Sequence, residues 1–110
     1  MTDSKPVLSE IREMKKLVAY QNDAIVSKTI IETGAGTVTA FAFDRGQGLS
    51  EHTAAYDAMV IVIEGNVDIR ISGVAFQLKE GQTIILPANK PHAVKALTKF
   101  KMLLVMIRTK

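Results

Sequence analysis

After Asn22-Asp23 the chain reads as short β-type segments cut by turn residues about every 8 to 12 positions, and that rhythm leaves few folds open. Ala24 to Glu32 is rich in Ile, Val and Thr and closes on Gly34-Ala35-Gly36. Thr37 to Asp44 alternates, with Thr37, Thr39, Phe41 and Phe43 on one face and Val38, Ala40 and Ala42 on the other. Gly46-Gln47-Gly48 then precedes a long segment, His52 to Ile63, and Glu64-Gly65-Asn66 turns into Val67 to Ile71. Gly73 marks a hairpin into Val74 to Leu78, and Lys79-Glu80-Gly81 turns into Thr83 to Leu86. After the loop Pro87 to Pro91 come His92 to Leu97 and the nearly all-apolar Phe100 to Ile107, predicted to be covered on both faces. Segments this short bury an apolar face only against one another. The pattern predicts an antiparallel all-β barrel or sandwich of about eight strands.

Ahead of the strands, Val7, Leu8, Ile11, Met14, Leu17 and Val18 recur at helical spacing, with Ser9 as a cap. Residues 1–22 are therefore assigned to a tail and short helix or turn, and residues 23–110 to the barrel domain. A chain of 110 residues has room for one core, and 47% hydrophobic residues exclude general disorder. With no cysteine there is no disulfide, thiolate metal site or thiol nucleophile, which fits a cytoplasmic protein. The first ten residues carry Asp3 and lack an apolar stretch, so no secretory signal is expected. The longest apolar runs, Met59 to Ile63 and Met102 to Ile107, are far short of a membrane-spanning helix, and no membrane partner is expected. The net charge of +3 is spread among acids. Arg12, Lys15 and Lys16 near the start interleave no aromatics, and Lys99 and Lys101 near the end flank a single one, Phe100, so neither group reads as a nucleic-acid platform and no nucleic-acid partner is expected.

His52 and His92 are the only histidines, and each lies in a glycine-framed segment. The frames are Gly46-x5-His52-x-Ala54-x3-Ala58-x6-Gly65 and Gly81-x5-Pro87-x-Asn89-x2-His92-x3-Ala96. A small barrel aims two such imidazoles from different strands into one cavity. Alternation along the first segment places His52, Ala54, Ala58 and Val60 on one face and turns Glu51, Asp57 and Met59 away. His92, Val94 and Ala96 share a face on the second, and Met102, Leu104 and Met106 join from the last strand. This describes a small apolar pocket with two imidazoles. The plainer alternative is that the methionines are core and the histidines hydrogen-bonded packing residues.

Together the two frames resemble the paired signatures of the cupin superfamily, G-x5-H-x-H-x3,4-E-x6-G and G-x5-P-x-G-x2-H-x3-N, over roughly residues 36 to 107. The resemblance implies a cupin-like double-stranded β-helix, or jelly-roll barrel. It also implies a divalent ion held by two histidines and a glutamate of the first motif and a histidine of the second. Here Ala54 and Ala58 stand at two of those ligand positions, which leaves His52 and His92. Two imidazoles bind a divalent transition metal weakly unless water or substrate completes its shell.

The expected function is therefore a small-molecule-binding single-domain cupin with a degenerate two-histidine metal site. Its ligand would be lined by His52, His92, Ala54, Ala58, Val60, Val94, Met102 and Met106. The alternative is a metal-dependent cupin enzyme, of isomerase, decarboxylase or dioxygenase type, using His52 and His92. A third reading is a structural or partner-binding domain. A homodimer is expected from the resemblance, and because the early strand Ala24 to Glu32 and the final apolar strand offer edges to cover.

Overall fold

The computed structural model describes residues 9–108. Among them the strands are β1 (Ile25–Thr33), β2 (Gly36–Phe43), β3 (Gly48–His52), β4 (Ala58–Glu64), β5 (Asn66–Ile71), β6 (Val74–Lys79), β7 (Thr83–Leu86), β8 (His92–Ala96) and β9 (Phe100–Ile107). They form two antiparallel sheets, a five-stranded one in the order β1-β2-β9-β4-β7 and a four-stranded one in the order β3-β8-β5-β6. The expected all-β jelly roll is what the chain forms. Strand β9 is central in the larger sheet, between β2 and β4, which explains why it is apolar on both faces.

The two sheets close on one core. Phe43, Val60, Val62, Val67, Ile69 and Phe100 are each 1% exposed or less, and the Phe43 and Phe100 rings lie 5.1 Å apart. The alternation read on β2 holds: Phe41 pairs with Met102 and faces inward, while Ala40 and Ala42 face outward. Ala40 and Ala42 are nonetheless buried, because Leu17, Val18 and Tyr20 cross over them. Side chains this small let the N-terminal segment lie close against the sheet. Tyr20 fastens that segment by donating its hydroxyl to Glu64 Oε2 at 2.6 Å. The Lys101 ammonium donates to the Lys15 carbonyl and sits 4.8 Å from the Tyr20 ring centre. Burial first, and the Glu64 carboxylate second, push the Tyr20 phenol well above its ordinary pKa.

Three sequence expectations are corrected. The helix over Val7 to Val18 is, within the described residues, a single 3-10 turn at Met14–Lys16, and Val7 and Leu8 lie outside them. Ser9 has φ 61° and caps nothing, and Ile11 is 99% exposed. Leu17 and Val18 are apolar because they cover a sheet rather than form one stripe of a helix. The long strand His52 to Ile63 is two strands in different sheets, β3 ending at His52 and β4 starting at Ala58, with residues 53–57 crossing between them. The final strand offers no edge, whereas β1 does.

The two basic groups at the ends of the sequence do meet in space, but largely paired. Lys101 is buried and 4.0 Å from Glu64, Lys15 is 3.5 Å from Glu80 and Lys16 is 3.7 Å from Glu13. Among the described residues no helix is long and apolar enough to cross a membrane.

Candidate functional site

His52 ends β3 and His92 begins β8, and the two residues are cross-strand partners. Their ring centroids are 4.3 Å apart and the planes meet at 70°, an edge-to-face contact. A β-bulge sets this phase. Leu49 pairs with Val94 and His52 with His92, so β3 has two residues between these pairs where β8 has one. Uninterrupted pairing from Leu49 would bring Glu51, not His52, opposite His92.

Each ring is tied to the carbonyl two residues before it. His52 Nδ1 lies 2.7 Å from the Ser50 oxygen, and His92 Nδ1 lies 3.2 Å from the Lys90 oxygen. A carbonyl only accepts, so both contacts require Nδ1–H, and a neutral ring then carries its lone pair on Nε2. Both Nε2 atoms are in the form that ligates a metal or accepts a hydrogen bond. His92 is 6% exposed and His52 is exposed. Burial holds the His92 imidazole below its ordinary pKa; the nearby His52 pushes the same way, and the Lys90 carbonyl opposes them.

The remaining residues of the predicted pocket divide between the end of the sandwich and its core. Chain 53–57 joins His52 to Ala58, and chain 87–91 joins Leu86 to His92, so the two loops cross the same end side by side. They are stitched together: Asn89 N–H donates to the Ala54 carbonyl at 2.7 Å, and Ala88 N–H donates to Asp57 Oδ1 at 2.8 Å. Ala58 pairs with Leu86 on one side and Met106 on the other, at that same end of the facing sheet. Val94 follows His92 inward on β8 and is 5% exposed. Val60 and Met102 lie deeper, at 0% and 1% exposure, packed in the core. The shared parity of residues 52, 54, 58 and 60 also fails, because a loop separates His52 from Ala58.

Sequence reasoning missed the Ser50 and Lys90 carbonyls, because any residue type supplies a carbonyl. It turned Asp57 away from the pocket and assigned it no role, and Asp57 anchors the second motif's loop. Neither role leaves a mark in side-chain spacing.

The donor set does not fit a tightly held metal. The Ala54 and Ala58 side chains offer no ligand atom, and among the described residues no group of three or more His, Asp or Glu is placed to hold an ion. Two imidazoles fill half of a tetrahedral shell.

A jelly roll with a histidine from each glycine-framed motif at one end defines the class. The chain belongs to the cupin family, whose cupin domain matches residues 40–108. It is similar, at 31% identity and a TM-score of 0.91, to a conserved protein of unknown function from Streptococcus pyogenes, covering 100% of this chain and 97% of that one. A cupin superfamily protein from Desulfitobacterium hafniense shares the fold at 20% identity and a TM-score of 0.86, over 97% of each chain. A cupin 2 conserved barrel domain protein from Leptotrichia buccalis is 37% identical with a TM-score of 0.82, over 86% of this chain and 46% of that one. No functionally curated protein matches the sequence.

Proposed function

We propose that the chain is a small-molecule-binding cupin whose ligand is held by His52 and His92. The observation that carries this reading is the pair itself, two imidazoles in edge contact with each Nδ1 occupied by a backbone carbonyl. A neutral ring in that tautomer accepts at Nε2 and donates nothing there. The ligand it suits presents hydroxyl or amine donors on an apolar body, which Ala54, Ala58, Val94 and Met106 border. A divalent transition metal finds only two protein donors here, so it is held weakly and exchanges readily. A cytoplasmic location is part of this reading, and the absence of cysteine is compatible with it.

A second reading, a cupin enzyme, is favoured by one observation. His92 is buried with its Nδ1 against the Lys90 carbonyl, and burial favours the neutral ring, which leaves its Nε2 available as a base. In that role His92 takes a proton from a bound substrate while the Lys90 carbonyl fixes its ring.

Both readings are tested on protein purified without a metal column, beside a His52→Ala, His92→Ala double variant. Ligand-observed NMR with small alcohols and phenols is expected to find binders that the double variant loses, and added Zn2+ to bind weakly and only to the wild type. Binding of phenols and Zn2+ that is equal in both proteins would overturn the proposal. A full equivalent of one native metal, lost in the variant, would put the enzyme reading first.

A further inference from the structure

The outer face of the four-stranded sheet carries a trough of about 520 Å³. Gly48, Ser50 and Ala93 line it with groups too small to fill it, and Asp68, Arg70 and Lys95 line it with charge. Alternation turns Ala93, Lys95, Asp68 and Arg70 away from the core, where Val94 and Ile69 are buried. The trough therefore opens on the outside of the sandwich, and neither histidine lines it.

Its charges do not cancel in the simplest way. Asp68 stands opposite Lys95 in the β5–β8 register, where opposite charges ordinarily pair across strands. It turns instead to Arg70 on its own strand, and Asp68 Oδ2 accepts from Arg70 Nε at 3.3 Å. Among the described residues no ion pair includes Lys95. Depth decides what a ligand meets. The Asp68 side chain is 13% exposed and that of Arg70 61%, so the carboxylate lies beneath the guanidinium. With Nε occupied, the guanidinium keeps both Nη groups, a planar fork that matches the two oxygens of a carboxylate. Arg70 and Lys95 are diagonal neighbours on adjoining strands, with Cβ atoms about 7 Å apart.

We propose that this trough binds a small dicarboxylate, one carboxylate on the Arg70 Nη fork and the other on the Lys95 ammonium. Asp68 is a positioning residue, which holds the fork by its Nε, and the Ser50 hydroxyl adds a donor at the floor. Two carboxylates joined by a short carbon chain match two cations at this spacing better than one compact oxyanion does. The trough has room for the chain.

The test is a nitrogen–proton NMR titration of the full-length protein with succinate at low ionic strength, where exposed charges are least screened. Amide shifts centred on Ser50, Arg70 and Lys95 are expected, saturating as one site. Arg70→Lys keeps the charge and removes the fork, and it is expected to weaken succinate by about tenfold or more. Lys95→Gln is expected to bring succinate down to the affinity of acetate, because one carboxylate is then left without a partner. Lys28→Gln, an exposed charge on the other sheet, is the control and leaves binding intact. All three side chains are exposed, so none of these changes disturbs the core. Shifts that do not saturate, or wild-type affinity in Arg70→Lys, would overturn the proposal. So would inorganic phosphate that binds more tightly than succinate, or equal losses in Lys28→Gln and Lys95→Gln.

Discussion

His92 carries a conflict that only its surroundings resolve. It is buried at 6% exposure, yet it lies beside a second imidazole and against one carbonyl. Burial penalises its charged form more than the Lys90 carbonyl favours it, so His92 in the fold titrates below 6.5. The unfolded chain takes up a proton there near pH 6.5, while the folded chain does so only at lower pH. Between those two points the native state binds fewer protons, so stability falls as pH drops through that window. Above it the contribution is complete, and below it nothing more is lost. Urea midpoints measured from pH 7.5 to 5 should therefore decline less steeply for His92→Gln than for the wild type. An identical slope would mean that His92 is not the buried neutral ring described.

Turns and strand ends decide more of this structure than strand interiors do. Gly65 between β4 and β5 has φ +84°, and a Cβ there would meet the Lys99 carbonyl. Gly73 has φ +83°, but a Cβ there would meet nothing within 4 Å. Gly65→Ala is thus expected to cost about 2 to 4 kcal/mol, combining the left-handed penalty with overpacking, and Gly73→Ala about 1 kcal/mol. Equal thermal shifts for the two would contradict the close approach at Gly65. Asn89 follows the same logic: it stands where the motif has glycine, tolerates the left-handed region, and has φ 65°. What the sequence conceals at this scale is the bulge on β3 and the break after His52. Alternation reports a face only while pairing is regular, and a one-residue bulge or a crossing loop resets the count without any characteristic residue.

At the scale of the molecule, glycine punctuation and alternation are enough to read an antiparallel all-β barrel or sandwich, because turns demand special residues and half-buried strands demand alternation; the jelly-roll topology comes from the cupin resemblance. The N-terminal segment was not legible. An apolar residue that covers a sheet and one that lines a helix look alike over a dozen positions, and only the outward-facing Ala40 and Ala42 give the covered sheet away. The candidate site is legible in the sequence as two histidines, but its carbonyl anchors are not. The core itself is expected to be unforgiving: Phe100, at 0% exposure against Phe43, should cost about 3 to 5 kcal/mol when cut to alanine. A change below 1 kcal/mol in chemical denaturation would mean the two sheets do not close on it.

The most direct measurement is long-range nitrogen–proton NMR of the two imidazoles at pH 7.5, in protein free of added metal. Both rings are expected to show a protonated Nδ1 and a bare Nε2, with both Nε2 signals moving when Zn2+ is added. A proton on Nε2 of either ring, or Nε2 signals indifferent to Zn2+ and to phenols alike, would contradict the claim that His52 and His92 form one receptive pair.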